Sequence, residues 1–127
     1  MAKNKILIIE DDPTIVNSLT ILLKGEYETD SAKNGAEGLE KVDSFKPDLI
    51  ILDLLMPGVD GFEVCKQLKQ QDKYKGIPVI ALSSFTELYD MRFGDEDTKG
   101  SLPSDVYLTK PLDPPTLLRE IKEQLNK

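Results

Sequence analysis

Three short apolar runs punctuate an otherwise mixed chain: Ile6-Leu-Ile-Ile9, Leu49-Ile-Ile-Leu52 and Ile77-Pro-Val-Ile-Ala-Leu82. Each is too short for a membrane span or an ordinary helix and lacks strict alternation, the pattern of a strand buried on both faces. Between them the period changes. Asp12-Pro13 reads as an N-cap and first-turn proline, after which Ile15, Val16, Leu19, Leu22 and Leu23 recur at helical spacing until Gly25. Tyr27 to Ala32 is β-prone but polar, which suits a strand at the edge of a sheet. Asn34-Gly35 opens a helix whose narrow apolar stripe is Leu39, Val42 and Phe45, and Lys46-Pro47 stops it. Pro57-Gly58 predicts a turn, and Asp60 caps a further helix carrying Phe62, Cys65 and Leu68. Gln70 to Gly76 reads as a solvated connection.

Beyond the third apolar run, Phe85, Leu88, Tyr89 and Phe93 predict one short helix, followed by a loop from Gly94 to Pro103. Asp105 to Thr109 is a short last strand ending on Lys110-Pro111, a candidate cis peptide. Asp113-Pro114 caps a final helix that turns Leu117, Leu118, Ile121 and Leu125 inward. Strands alternating with helices require parallel pairing through right-handed crossovers, with helices on both faces of the sheet. The expected fold is therefore three-layer α/β, a flavodoxin-like (βα)5 unit with a five-stranded parallel sheet in the order 2-1-3-4-5.

Length and charge narrow the picture. The 127 residues suffice for one core, so a single domain over 1–127 is expected. A net charge of −7 argues against binding nucleic acid or anionic membrane through charge, and favours a cation or a basic partner. The sequence has no histidine, which removes zinc-histidine sites and Ser-His-Asp triads, so any metal must be bound by oxygen. The lone Cys65 falls on the apolar stripe of its helix, where a core thiol is the ordinary explanation. With no intrachain disulfide available, no signal-peptide pattern and no membrane span, a cytoplasmic setting is expected.

In a parallel sheet the carboxyl ends of all strands share one edge, so Glu10, Asp11, Asp53, Ser83 and Lys110 are expected to converge. Ligands bind at that edge where strand order reverses, here between the first and third strands, which carry Asp11 and Asp53. Three crowded carboxylates repel one another, and a cation relieves this; hard oxygen donors favour Mg2+ or Mn2+ over zinc. The chemistry that fits is phosphoryl transfer to a carboxylate. Asp53 attacks phosphorus in line, the cation and Lys110 each neutralise an equatorial oxygen, and Ser83 hydrogen-bonds a third. A set of unrelated helix-capping acids would explain Asp12 and Asp60, but not a lysine and a hydroxyl at the same edge.

Glu10-Asp11, Asp53 within Asp-Leu-Leu-Met-Pro-Gly-Val-Asp-Gly61, Ser83 after an apolar strand, and Lys110-Pro111 together resemble the receiver domains of bacterial two-component response regulators, in particular the chemotaxis-regulator kind. The resemblance spans the chain. It implies that Asp53 accepts phosphoryl from a phosphohistidine on a histidine kinase or histidine phosphotransfer protein, as a signalling domain that catalyses only its own modification. It implies Mg2+ ligation by Asp11, Asp53 and the Leu55 carbonyl, with Glu10 acting through water. It also implies a coupled movement of Ser83 and Tyr107 that remodels the face of the fourth helix, fifth strand and fifth helix. Taken alone, Tyr107 also has a lesser reading as an ordinary strand aromatic. The partners implied are an unknown output protein or fused effector domain, and a phosphorylation-linked homodimer.

Two departures from the family stand out. The span from Ser83 to Lys110 is longer than usual, carries acids from Asp95 to Asp97, and has Leu102-Pro103-Ser104 where a small Gly-Ala turn is customary. An altered fourth helix is one expectation and a tolerated surface insertion the other. Leu55 and Phe85, two residues beyond Asp53 and Ser83, are apolar where fast-cycling receivers carry polar groups, which implies slow self-dephosphorylation. The competing classes are a small Mg-dependent aspartate-nucleophile phosphohydrolase, a flavin-binding electron carrier and a phosphorylation-independent receiver-like binding module. Glu10-Asp11-Asp12 fits neither the hydrolase's pair of aspartates one residue apart nor the flavin carrier's phosphate loop.

Overall fold

A computed structural model describes residues 3–53, 55–56, 59–83, 106–109 and 113–126. The elements in order are β1 (Asn4–Ile9), α1 (Pro13–Leu23), β2 (Tyr27–Ala32), α2 (Gly35–Phe45), β3 (Leu49–Asp53), β4 (Leu55–Met56), β5 (Val59–Asp60), α3 (Gly61–Gln70), β6 (Val79–Ser83), β7 (Val106–Thr109) and α4 (Pro114–Leu125). Five strands form one parallel sheet in the order β2-β1-β3-β6-β7. The polar β2 is at its edge, where exposed backbone is tolerated, and the apolar β1 and β3 lie inside.

The unbroken apolar runs have a simple cause. Along β1, Leu7 and Ile9 pack into the layer under α2 and α3, while Ile6 and Ile8 pack into the layer under α1 and α4. Along β3, Ile50 and Leu52 face the first layer and Leu49 and Ile51 the second. All eight side chains have no exposed surface, so neither face can spare an apolar residue. At about 25 cal/mol per Å2 of buried apolar surface, these central strands supply much of the drive to fold.

Side chains set the helix boundaries. Asp12, Asn34 and Asp113 each accept a hydrogen bond from a backbone N–H in the first turn of the helix that follows, from Thr14, Glu37 and Thr116 respectively. Helix α2 ends on Lys46, which adopts the left-handed conformation (φ 55°) and donates its N–H to the Val42 carbonyl. The residue before Pro47 cannot continue a helix, so the reversal falls on a lysine.

Several boundaries differ from expectation. β1 begins at Asn4, because Asn4 and Lys5 still find partners in Tyr27 and Glu28. The third apolar strand begins at Val79 and runs to Ser83; Ile77 donates its N–H to Tyr74 in a turn, and Pro78 contributes only its carbonyl, to Ile50. Residues 71–77 form a chain of turns that is solvated as expected, with Tyr74 and Ile77 partly buried against the core. Leu55–Met56 pairs antiparallel with Val59–Asp60, a ribbon too short to leave a periodic pattern. The expected short helix over Phe85–Phe93, the loop Gly94–Pro103 and the Lys110-Pro111 bond lie outside the described residues, as do the side chains of Asp60, Phe62 and Cys65. Among the described residues, no helix is long and apolar enough to cross a membrane.

Candidate metal and phosphoacceptor site

The carboxyl ends of β1 and β3 adjoin because Ile9 pairs with Leu52, the last step of their ladder. The next residue on each strand is an acid, Glu10 and Asp53, and both are buried at 2% exposure although apolar sheet surrounds them. Asp11 adds an exposed third carboxylate. One oxygen from each of Glu10, Asp11 and Asp53 lies within 4.8 Å of the others. Glu10 is fixed twice: its N–H extends the β1–β2 ladder to the Ala32 carbonyl (2.9 Å), and its Oε1 accepts the Asp12 N–H (3.2 Å).

The neighbouring acids divide their work. Asp12 spends its carboxylate on the Thr14 N–H at the start of α1 (2.9 Å), so the capping explanation is correct for Asp12. Asp11 joins the cluster with Glu10 and Asp53. An all-carboxylate donor set, with Glu10 and Asp53 buried and Asp11 open to solvent, is hard and oxygen-rich, and it fits Mg2+ or Mn2+.

The structure places the other sequence-predicted residues unevenly. Ser83 is the last residue of β6, one beyond Leu82, which pairs with Asp53, so its backbone stands on the same edge. Tyr107 is in β7, paired with Ala81. The side chains of Ser83 and Tyr107 lie outside what the structure describes. Leu55 opens β4 and pairs with Asp60. Lys110 and Phe85 lie outside the described residues; Thr109, just before Lys110, pairs with Ser83 at that same edge.

Two contributors had weaker signals. Gly38, inside α2, lies against Ile9 directly behind the acids; a glycine within a helical pattern hints at close packing, but not at its partner. Asp48 directly precedes the strand that Asp53 ends, and its Oδ2 accepts the Lys5 N–H (2.8 Å), tying β3 to β1 at the opposite edge. An acid just after Pro47 carried no particular signal.

Comparison with known proteins agrees with this architecture. The family model described as response regulator receiver domain matches residues 6–122. The alkaline phosphatase synthesis transcriptional regulatory protein PhoP of Bacillus subtilis is 38% identical over 124 residues, 97% of this chain and 49% of that protein. The chain spans about half the length of the curated relatives it matches. Among solved structures, the chemotaxis response regulator CheY4 of Vibrio cholerae superposes with a TM-score of 0.83 at 28% identity, covering 97% of this chain and 99% of that one. The receiver domain of sensor histidine kinase PA1611 from Pseudomonas aeruginosa has the same fold (TM-score 0.83, 22% identity, 99% and 100% covered), and in that protein a magnesium ion is coordinated in the active-site cleft. The match over nearly the whole chain, on a parallel sheet that gathers three acids at its carboxyl edge, makes this protein a member of the response regulator receiver family, a phosphorylatable signalling switch rather than a catalytic enzyme.

Proposed function

We propose that Asp53 is the phosphoryl acceptor of this switch. The observation that carries the reading is the meeting of Glu10, Asp11 and Asp53 within 4.8 Å where strand order reverses. Asp53 forms the new O–P bond as the N–P bond to a donor imidazole breaks, and the departing nitrogen keeps the electron pair. The donor is a histidine kinase or histidine phosphotransfer protein, the partner class with which receivers interact. Asp11, Asp53 and the Leu55 carbonyl hold Mg2+, or Mn2+, with Glu10 acting through water. The bound cation neutralises charge on the transferred group. Lys110 and Ser83 take two further phosphoryl oxygens, their chain positions on or beside the β6–β7 end being the support.

The finer architecture belongs to the same proposal: one receiver domain over 1–127, completed to (βα)5 by a helix between β6 and β7. Ser83 and Tyr107 relay the added charge to the face that includes β7 and α4, changing either self-association or contact with an output partner or fused effector. The apolar Leu55 and Phe85 leave no group to position water, so the phosphorylated state is long-lived.

The test is incubation with a small acyl phosphate and Mg2+, resolved on a phosphate-affinity gel. Wild type shifts; Asp53→Asn and a chelated sample do not. Labelling that persists in Asp53→Asn would show that the acceptor lies elsewhere. Following the decay separates the lifetime proposal, since a half-life of seconds contradicts it.

A further inference from the structure

β2 is an edge of the sheet: β1 pairs along one side of it, and among the described residues no strand lies on the other. The ladder fixes the direction of its backbone groups. The Glu10 N–H reaches the Ala32 carbonyl, so Ala32, and with it Asp30 and Glu28, turn their N–H and C=O groups toward β1. Tyr27, Thr29 and Ser31 therefore turn theirs outward, away from the sheet. At Ser31 both outward groups are taken. Its N–H donates to Asp30 Oδ1 at 2.8 Å, and its carbonyl accepts from Lys41 Nζ, which reaches across from α2. The same ammonium stands 3.1 Å from Asp30 Oδ1 and 3.5 Å from Glu37 Oε1, so both carboxylates hold it over the edge.

An open strand edge is a template for another strand, and charged side chains are a common means of closing one. The strand that this edge matches is a second copy of β2. Antiparallel pairing about a two-fold axis at Thr29 sets each outward residue opposite another, Thr29 facing its own counterpart and Tyr27 facing Ser31 on either side. The bonds at Ser31 close both outer rungs and leave only the central one. The same register sets Glu28 opposite Asp30 of the second copy, a like-charge pair that opposes docking. We infer that Asp30 and Lys41 form a clasp that shuts the β2 edge against pairing with a second copy of this chain. β7 is the opposite edge of the sheet, so on the reading above a contact made there reports phosphorylation only while β2 stays unpaired. The clasp itself needs neither phosphoryl group nor cation, and its test uses neither.

The experiment is sedimentation equilibrium of the unphosphorylated, metal-free chain over a range of concentrations. Asp30→Thr/Lys41→Met removes both partners of Ser31 and the repulsion with Glu28 across the axis. It opens two rungs, each of two hydrogen bonds, and is expected to tighten self-association about a hundredfold. Adding Thr29→Pro returns association to the wild-type level, because proline there deletes an outward N–H that the β1 ladder does not use. Equal association in wild type and the double variant overturns the inference. Association that survives Thr29→Pro runs through another face and overturns it too, as does a wild type that already associates and loses this with Thr29→Pro. Should the double variant fail to fold, Lys41→Met alone, which frees the Ser31 carbonyl, is compared with Lys41→Arg, which keeps the cation. Tighter association in Lys41→Met only supports the clasp, and no difference between the two overturns it.

Discussion

Asp11 and Asp12 are adjacent in sequence and opposite in consequence. Asp12 stabilises α1 through the Thr14 N–H, so Asp12→Ala is expected to cost about 1 kcal/mol in urea unfolding while divalent-ion affinity holds. Asp11 sits in mutual repulsion with Glu10 and Asp53. Asp11→Asn should stabilise the metal-free chain by about 1 kcal/mol and abolish Mg2+ binding, the usual opposition between a charged site and stability. Sequence reading reaches this partition as well as the cluster, because Pro13 in the first helical turn marks Asp12 as the N-cap and leaves Asp11 to the sheet edge, and the coordinates place both so. A different acid controls part of the pH response. The Tyr74 hydroxyl, bonded to Asp43 at 2.6 Å, and then Lys73 hold the Asp43 carboxyl below its ordinary value. A lowered carboxylate contributes stability above its unfolded pKa and loses it as pH falls through the folded one. Tyr74→Phe should therefore lower stability at neutral pH and leave it unchanged in strong acid, so that the acid limb of the stability curve flattens; unfolding midpoints from neutral pH down through about pH 4 measure it.

At the scale of elements, β1 and β3 were legible because both their faces are buried, and no other short element produces an unbroken aliphatic run. The edge position of β2 was legible for the opposite reason, its polarity. What could not be read was contact between elements: the Ile9–Gly38 approach joins residues far apart in sequence, and the β4–β5 ribbon is shorter than any period. The end of α2 gives a further prediction. Lys46 holds a left-handed conformation that costs a side-chain-bearing residue roughly 1 kcal/mol, while its bond to Val42 uses only backbone. Lys46→Gly should raise stability by about 0.5 to 1 kcal/mol, a rise of a few degrees in melting temperature by calorimetry.

For the molecule as a whole, the parallel sheet turns dispersed residues into one edge, and this is why the site was readable before its geometry was known. The net charge of −7 adds to the local repulsion, so a divalent cation acts on global stability as well as on the site. Mg2+ at a hundredfold excess over its dissociation constant should add about 2.7 kcal/mol to wild type and nothing to Asp53→Asn, seen as a melting shift in one protein alone.

The pairing of Ile9 with Leu52 also bears on time. Asp11 and Asp53 come from opposite ends of a βαβαβ segment, and the proposed cation site does not exist in either half of it. Parallel pairings close long loops and are slow to form. A divalent ion added during refolding should leave the early phases untouched and bind only once β1 and β3 have docked, so the cluster that holds the proposed acceptor also reports when the chain has become able to carry a signal.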